Sequence, residues 1–134
     1  MSLDAIDRRI LAALQENGRL TATELSERVG LTTSPCLRRI RQLEDAAVIT
    51  GYSAVVDQTK VGLPVSVFVS IKLERQREDA MLRFETAVRR WPEVVECYLM
   101  TGTRDYLLRV VARDLSDYER FIKQTLTRLD GVLS

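Results

Sequence analysis

The chain has 134 residues, 46% apolar and 29% charged, with 20 Lys and Arg against 19 Asp and Glu. That length holds one ordinary core or two small ones, and a charge so near neutral means that any grip on a polyanion must come from a local cluster of cations. There is no histidine, no metal-ligand spacing around Cys36 and Cys97, no Gly-rich phosphate loop and no Gly-x-Ser-x-Gly turn, so the chain is expected to be no enzyme and to carry no metal or cofactor.

Asp4 is placed to cap a first helix, along which Ile6, Ile10, Leu11 and Leu14 recur at helical spacing. Asn17-Gly18 should end it, since both residues tolerate the left-handed conformation of a helix terminus. Thr21 with Glu24 three residues on is the signature of a capping box for a second helix, closed by Gly30. Thr33 or Ser34 should cap a third, with Pro35 at or beside its first position, where a missing N–H costs nothing. This helix is expected to run to Asp45 or Ala46.

The third helix has two faces. Cys36, Leu37, Ile40 and Leu43 form an inward stripe, while Ser34, Arg38, Arg41 and Asp45 lie on another face, with Arg39 and Gln42 alongside. Three arginines precede Glu44 with no acid among them. A solvated surface is the usual fate of such a face. Here, however, two short helices broken by a Gly turn lead into it, which is the helix-turn-helix layout, and its outward side is what a helix entering a DNA groove needs.

Val48 to Val56 reads as an extended segment able to form a wing strand, and residues 57–64 as a polar, Gly- and Pro-containing link. The periodicity then changes. Val65, Val67, Val69, Ile71 and Leu73 alternate with Ser66, Phe68, Ser70 and Lys72, a strand with one buried face. A helix follows with Met81, Phe84, Val88 and Trp91 on one side and Pro92 as its stop; Trp91 belongs to the core or an interface. Val94 to Met100 and Tyr106 to Val111 are two more strands. Ser116 with Glu119 opens a last helix with Tyr118, Ile122, Thr125 and Leu129 on its inner side. The fold class is therefore α+β: a winged helix-turn-helix over residues 1–50, a hinge strand and linker over 51–64, and over 65–134 a ferredoxin-like βαββαβ unit whose last strand is missing. Residues 130–134 look like the start of that strand, so the chain reads as shortened at its end or as relying on another subunit to cover a sheet edge. Cys36 and Cys97 both occupy apolar positions and are expected to be buried free thiols. With no apolar run long enough for a bilayer and no signal-peptide pattern, the expected location is the cytoplasm, without a membrane partner.

Several motifs, in this order and at these spacings, carry a resemblance: Leu3-Asp4-Ala5-Ile6-Asp7-Arg8-Arg9-Ile10-Leu11, Glu24-Leu25-Ser26-Glu27-Arg28-Val29-Gly30-Leu31, Pro35-Cys36-Leu37-Arg38-Arg39-Ile40, Val61-Gly62, Glu96-Cys97-Tyr98-Leu99-Met100-Thr101-Gly102 and Asp105-Tyr106-Leu107-Leu108. Over essentially its whole length the chain resembles the leucine-responsive/asparagine-operon (Lrp/AsnC) regulators of prokaryotic transcription. The resemblance implies a winged helix-turn-helix joined by a hinge strand to an amino-acid-sensing domain. It implies dimers that pair through that domain's sheet and assemble further, for instance to octamers, with a small effector, usually an amino acid, bound between subunits near a Gly-containing turn. Carried over to this chain, that turn is Met100, Gly102, Thr103, Arg104, Asp105 and Tyr106. Family members commonly have an acidic residue where this chain has Thr103, and without that carboxylate a charge-assisted bond to an effector amino group becomes a neutral one.

From the residues alone, Gly102 reads as a turn residue free to take positive φ, Asp105 as a side-chain cap of that turn, and Tyr106 as a packing residue. On double-stranded DNA, Ser34, Arg38 and Arg41 should meet the major groove while Thr32, Thr33 and Arg39 hold phosphates. Two alternatives remain open at this point: an architectural protein with little sequence preference, and an amino-acid-sensing subunit that acts through protein contacts.

Overall fold

The computed structural model describes residues 1–133, which divide into two compact units, Met1–Val55 and the chain from Val56 on. The first unit consists of α1 (Ala5–Glu16), α2 (Ala22–Val29) and α3 (Thr33–Asp45). Asp4 caps α1 reciprocally: its carboxylate accepts the Asp7 N–H at 2.8 Å, and that of Asp7 accepts the Asp4 N–H at 3.1 Å. Thr21 and Glu24 do the same for α2, and Gly30 closes it in the left-handed conformation at φ 75°. Ile10, Leu25, Cys36 and Leu43, all fully buried, weld the three helices together.

Four local expectations for this unit are corrected. Asn17 is extended (φ −150°), not left-handed; it ends α1 because its side-chain oxygen accepts the Arg19 N–H at 2.9 Å and folds the chain into a turn. The N-cap of α3 is Thr32, so Pro35 is the third helical residue, tolerated because first-turn N–H groups have no intrahelical acceptor anyway. Leu37 is 36% exposed instead of lying in the inward stripe. It follows Cys36 by one residue, about 100° around the axis, which puts it on the flank of the buried face. The wing is absent: among the described residues no strand forms between Val48 and Val56, because the unit offers no second strand to pair with. At the end of α3, the Val48 N–H bonds to Leu43 O and the Ala47 N–H to Glu44 O, a Schellman closure that holds Ala47 at φ 56°.

The second unit runs β1 (Val65–Ile71), α4 (Glu78–Val88), β2 (Val94–Leu99), β3 (Tyr106–Ala112) and α5 (Leu115–Phe121), with a π-helical turn over Ile122–Leu126. The sheet is antiparallel in the order β1-β3-β2, with Phe68 opposite Arg109 and Cys97 opposite Leu108. Phe84 and Val88 of α4, Phe121 and Leu126 pack against Ile71, Leu108 and Val110 on one sheet face; on the other face Phe68 is exposed. The start of a fourth strand is visible just beyond the end of β1. Val132 bridges antiparallel to Leu73, the Leu133 N–H donates to Lys72 O, and the Glu74 N–H to Gly131 O, both at 2.8 Å. Ser134 lies outside the described residues.

Here too particulars differ. α4 ends at Val88, so Trp91 lies beyond the helix, yet it still packs edge-on against Phe84 and Phe121 at 6.5 and 5.7 Å. The cap of α5 is Asp114, which accepts the Asp117 N–H at 2.7 Å, and not Ser116. The π turn inserts a residue, with the Thr127 N–H reaching back five residues to Ile122 O. Phe121 and Leu126 therefore take the fully buried places, while Tyr118, Ile122, Thr125 and Leu129 are half-buried. Cys36 is buried as expected, but Cys97 is exposed because β2 is the outermost strand on its side. Partial burial and the nearby Glu85 charge hold the Cys97 thiol above its ordinary range, so it is no ready thiolate.

Candidate nucleic-acid interface and effector turn

α3 is fixed from behind by two devices. Cys36 and Leu43 enter the core, and Arg39 turns back to α1, its guanidinium donating to Asp4 at 2.6 Å and to Asp7 at 3.1 Å. Those are the two carboxylates of the α1 capping box. The Arg39 bond, followed by the Asp7 N–H, holds the Asp4 carboxyl below its usual range, and the same carboxylates raise the Arg39 guanidinium. Arg39, expected at phosphates, is thus occupied within the unit, because its position on the helix faces α1 and not solvent.

The opposite face is open. Ser34, Leu37, Arg38, Arg41, Gln42 and Asp45 line a shallow groove of about 500 Å³ along the outside of α3. Ser34, Arg38 and Arg41 are exposed, and among the described residues neither arginine forms an ion pair. Thr32 and Thr33 are exposed at the helix start, and the Thr32 hydroxyl makes no capping bond, which leaves first-turn N–H groups directed outward at the positive end of the helix dipole. Leu37 is the member of this face that sequence reasoning misplaced. Its spacing of three from Ser34 and four from Arg41 was the available signal.

The turn between β2 and β3 is built differently. Gly102 has φ 109°, a conformation that L side chains rarely adopt, and Thr101, Gly102 and Thr103 are exposed. Met100 and Arg104 are half-buried, and the Met100 N–H donates to Asp105 O at 2.8 Å. Asp105 itself is buried: its carboxylate accepts the Leu73 N–H at 2.7 Å and its own N–H donates to Ile71 O at 2.8 Å, fastening β3 to the end of β1. Tyr106 is 1% exposed, stacked on Phe84 at 4.6 Å, and its hydroxyl donates to Glu85 at 2.8 Å. Burial first, and the Glu85 carboxylate second, push this phenol well above its ordinary range. The structure thus brings Met100, Gly102, Thr103 and Arg104 to one surface turn and places Asp105 and Tyr106 beneath it. Glu85, the partner of Tyr106, gave no sign in the sequence, since the contact joins a helix to a strand 21 residues apart.

An AsnC-type helix-turn-helix domain matches residues 3–44, and an Lrp/AsnC ligand-binding domain matches residues 66–134. The chain belongs to the Lrp/AsnC family of transcriptional regulators. It is 46% identical over 130 residues to the Bkd operon transcriptional regulator of Pseudomonas aeruginosa, an alignment spanning 97% of this chain and 85% of that protein. It is 45% identical over 130 residues to the leucine-responsive regulatory protein of Escherichia coli K12, spanning 97% and 79%. Among solved structures, a transcriptional regulator of Neisseria meningitidis in complex with L-methionine superposes with a TM-score of 0.93 at 44% identity, covering 99% of this chain and 86% of that one. Like its relatives, this Lrp/AsnC protein is a DNA-binding transcriptional regulator with a helix-turn-helix domain and a ligand-binding domain. No helix among its described residues is long and apolar enough to cross a membrane.

Proposed function

We propose that the outward face of α3 reads operator DNA, with Ser34, Arg38 and Arg41 at base edges and with Thr32, Thr33 and the first-turn N–H groups of α3 on phosphates. The observation that carries this assignment is the division of labour among the three arginines: Arg39 is paired to Asp4 and Asp7, while Arg38 and Arg41 stand exposed with no ion pair among the described residues. Arg39 then acts on DNA only by setting the angle of α3. Half-sites would be read by paired heads of a homo-oligomer, spaced by about one turn of the duplex or a multiple of it. The effector is an amino acid, in keeping with the methionine held by the Neisseria relative. It binds between subunits against Met100, Gly102, Thr103 and Arg104, and Asp105 and Tyr106 shape the turn from beneath without touching it. Such a regulator works in the cytoplasm.

The test uses duplexes selected from a randomised pool by the full-length protein. Replacing Arg38 and Arg41 together with Ala should abolish preferential retention of the selected duplex, each bidentate contact to guanine being worth about 1–3 kcal/mol, while circular dichroism and oligomer size stay unchanged. Undiminished retention would remove α3 from the reading surface. Equal retention of selected and random duplexes by the unaltered protein would instead make it an architectural DNA binder.

A further inference from the structure

Leu37 stands apart from every other apolar residue of α3. Cys36 and Leu43 are fully buried and Ile40 packs against the core they form, whereas Leu37 is 36% exposed and lies in the outward groove between Ser34, Arg38 and Arg41. It does not belong to the buried cluster that joins α3 to α1 and α2. Set in a groove otherwise lined by Ser34, Arg38, Arg41, Gln42 and Asp45, it is the one aliphatic group that this face offers to a molecule laid against it.

The surrounding chemistry says what that partner is. Exposed guanidinium groups on both sides select a polyanion. In the major groove of duplex DNA only one base edge carries an apolar group, the C5 methyl of thymine, while guanine offers the N7 and O6 acceptors that suit arginine. Ser34, Leu37 and Arg41 follow one another at three and four residues, a strip about 10 Å long on one helix face, which spans roughly three base-pair steps at 3.4 Å each. We infer that Leu37 is a specificity residue which packs on a thymine methyl, so that each half-site contains a thymine within one or two base pairs of the guanine read by Arg38 or Arg41. The inference rests on the DNA-reading assignment of α3 and adds a base to it.

The experiment replaces each thymine of a selected duplex in turn by deoxyuridine, which pairs identically and lacks only the methyl group. At one position per half-site the unaltered protein should bind about fourfold more weakly, the factor that corresponds to one methyl-sized apolar contact. Leu37→Ala should lose a similar factor on the thymine duplex, lose nothing further on the deoxyuridine duplex, and keep the circular dichroism spectrum of the folded protein at the assay temperature. Leu37→Met, which keeps an apolar tip, should remain sensitive to the replacement, as should Arg38→Ala. Indifference of the unaltered protein to every deoxyuridine, or full sensitivity in Leu37→Ala, overturns the role of Leu37 and leaves the arginine assignment standing. If Leu37→Ala does not fold, the deoxyuridine scan and Leu37→Met decide the matter alone. A protein that prefers no duplex at all overturns the DNA-reading assignment itself, and this inference with it.

Discussion

Both the outward face of α3 and the turn from Met100 to Tyr106 place short polar residues beside charged ones, yet they treat those charges in opposite ways. Along α3 the backbone satisfies its own hydrogen bonds beyond the first turn, so Arg38 and Arg41 are needed by nothing in the fold and remain exposed. At the strand junction the sheet ladder stops at Ile71, leaving the N–H of the buried Leu73 without a ladder partner, and the carboxylate of Asp105 fills that place. A charged residue on an open helix face is left available for recognition, whereas Arg39, turned toward α1, is not. One at the end of a strand is claimed by the backbone first.

This contrast is broken most directly through Asp105. Asp105→Ala should destabilise the C-terminal unit by about 1.5–3 kcal/mol, the cost of removing a charged acceptor from a buried N–H, with a drop in melting temperature of about 4–8 °C for each kcal/mol. Arg38→Ala should leave melting unchanged. If Asp105→Ala melts normally and loses only its response to amino acids in a thermal-shift assay, Asp105 is a ligand group and the contrast fails.

A smaller effect is expected beneath the turn. Tyr106→Phe removes the bond to Glu85 and should cost about 1 kcal/mol. Because the folded phenol is held above its ordinary range, the unfolded chain loses this proton first as pH rises. The Tyr106 contribution is therefore complete below about pH 10 and declines above it. Urea unfolding followed between pH 8 and 11 should show that decline in the unaltered protein and a flatter profile in Tyr106→Phe.

The smallest expected change lies at the end of α3, where Ala47 holds φ 56°. Ala47→Gly relieves a left-handed conformation that is costly for any residue with a Cβ, against the greater chain entropy of glycine. It should stabilise the N-terminal unit by up to about 1 kcal/mol, read as a higher urea midpoint with unaltered DNA retention. A loss of retention would mean that the α3 terminus governs how that helix is presented to DNA.

Much of this architecture was legible in the residues, and the failures share a cause. The Thr21–Glu24 box, the Gly30 stop and the alternation of β1 are local patterns, and each stands where its spacing placed it. The wing was not local: Val48 to Val56 has strand-like composition, but a strand exists only if another pairs with it. The π turn after Phe121 was equally invisible, because one inserted residue displaces the inner face of a helix without changing its composition. Cys97 sits on the helix-facing side of its strand by alternation and is exposed all the same, since position in the sheet order and not periodicity decides cover.

At the two sites the same boundary holds. Periodicity and capping determined, from the chain alone, that a short arginine-bearing helix would follow a Gly turn and that a Gly-centred turn would join two strands, because both depend on interactions between residues a few positions apart. Which guanidinium would stay exposed, which carboxylate would be drawn beneath the turn, and that Leu37 would face outward were decided only by packing. These outcomes depend on what Asp4, Asp7, Leu73 and Glu85 bring up from distant segments, and side-chain pairing across a fold follows proximity in space, which spacing along the chain does not encode.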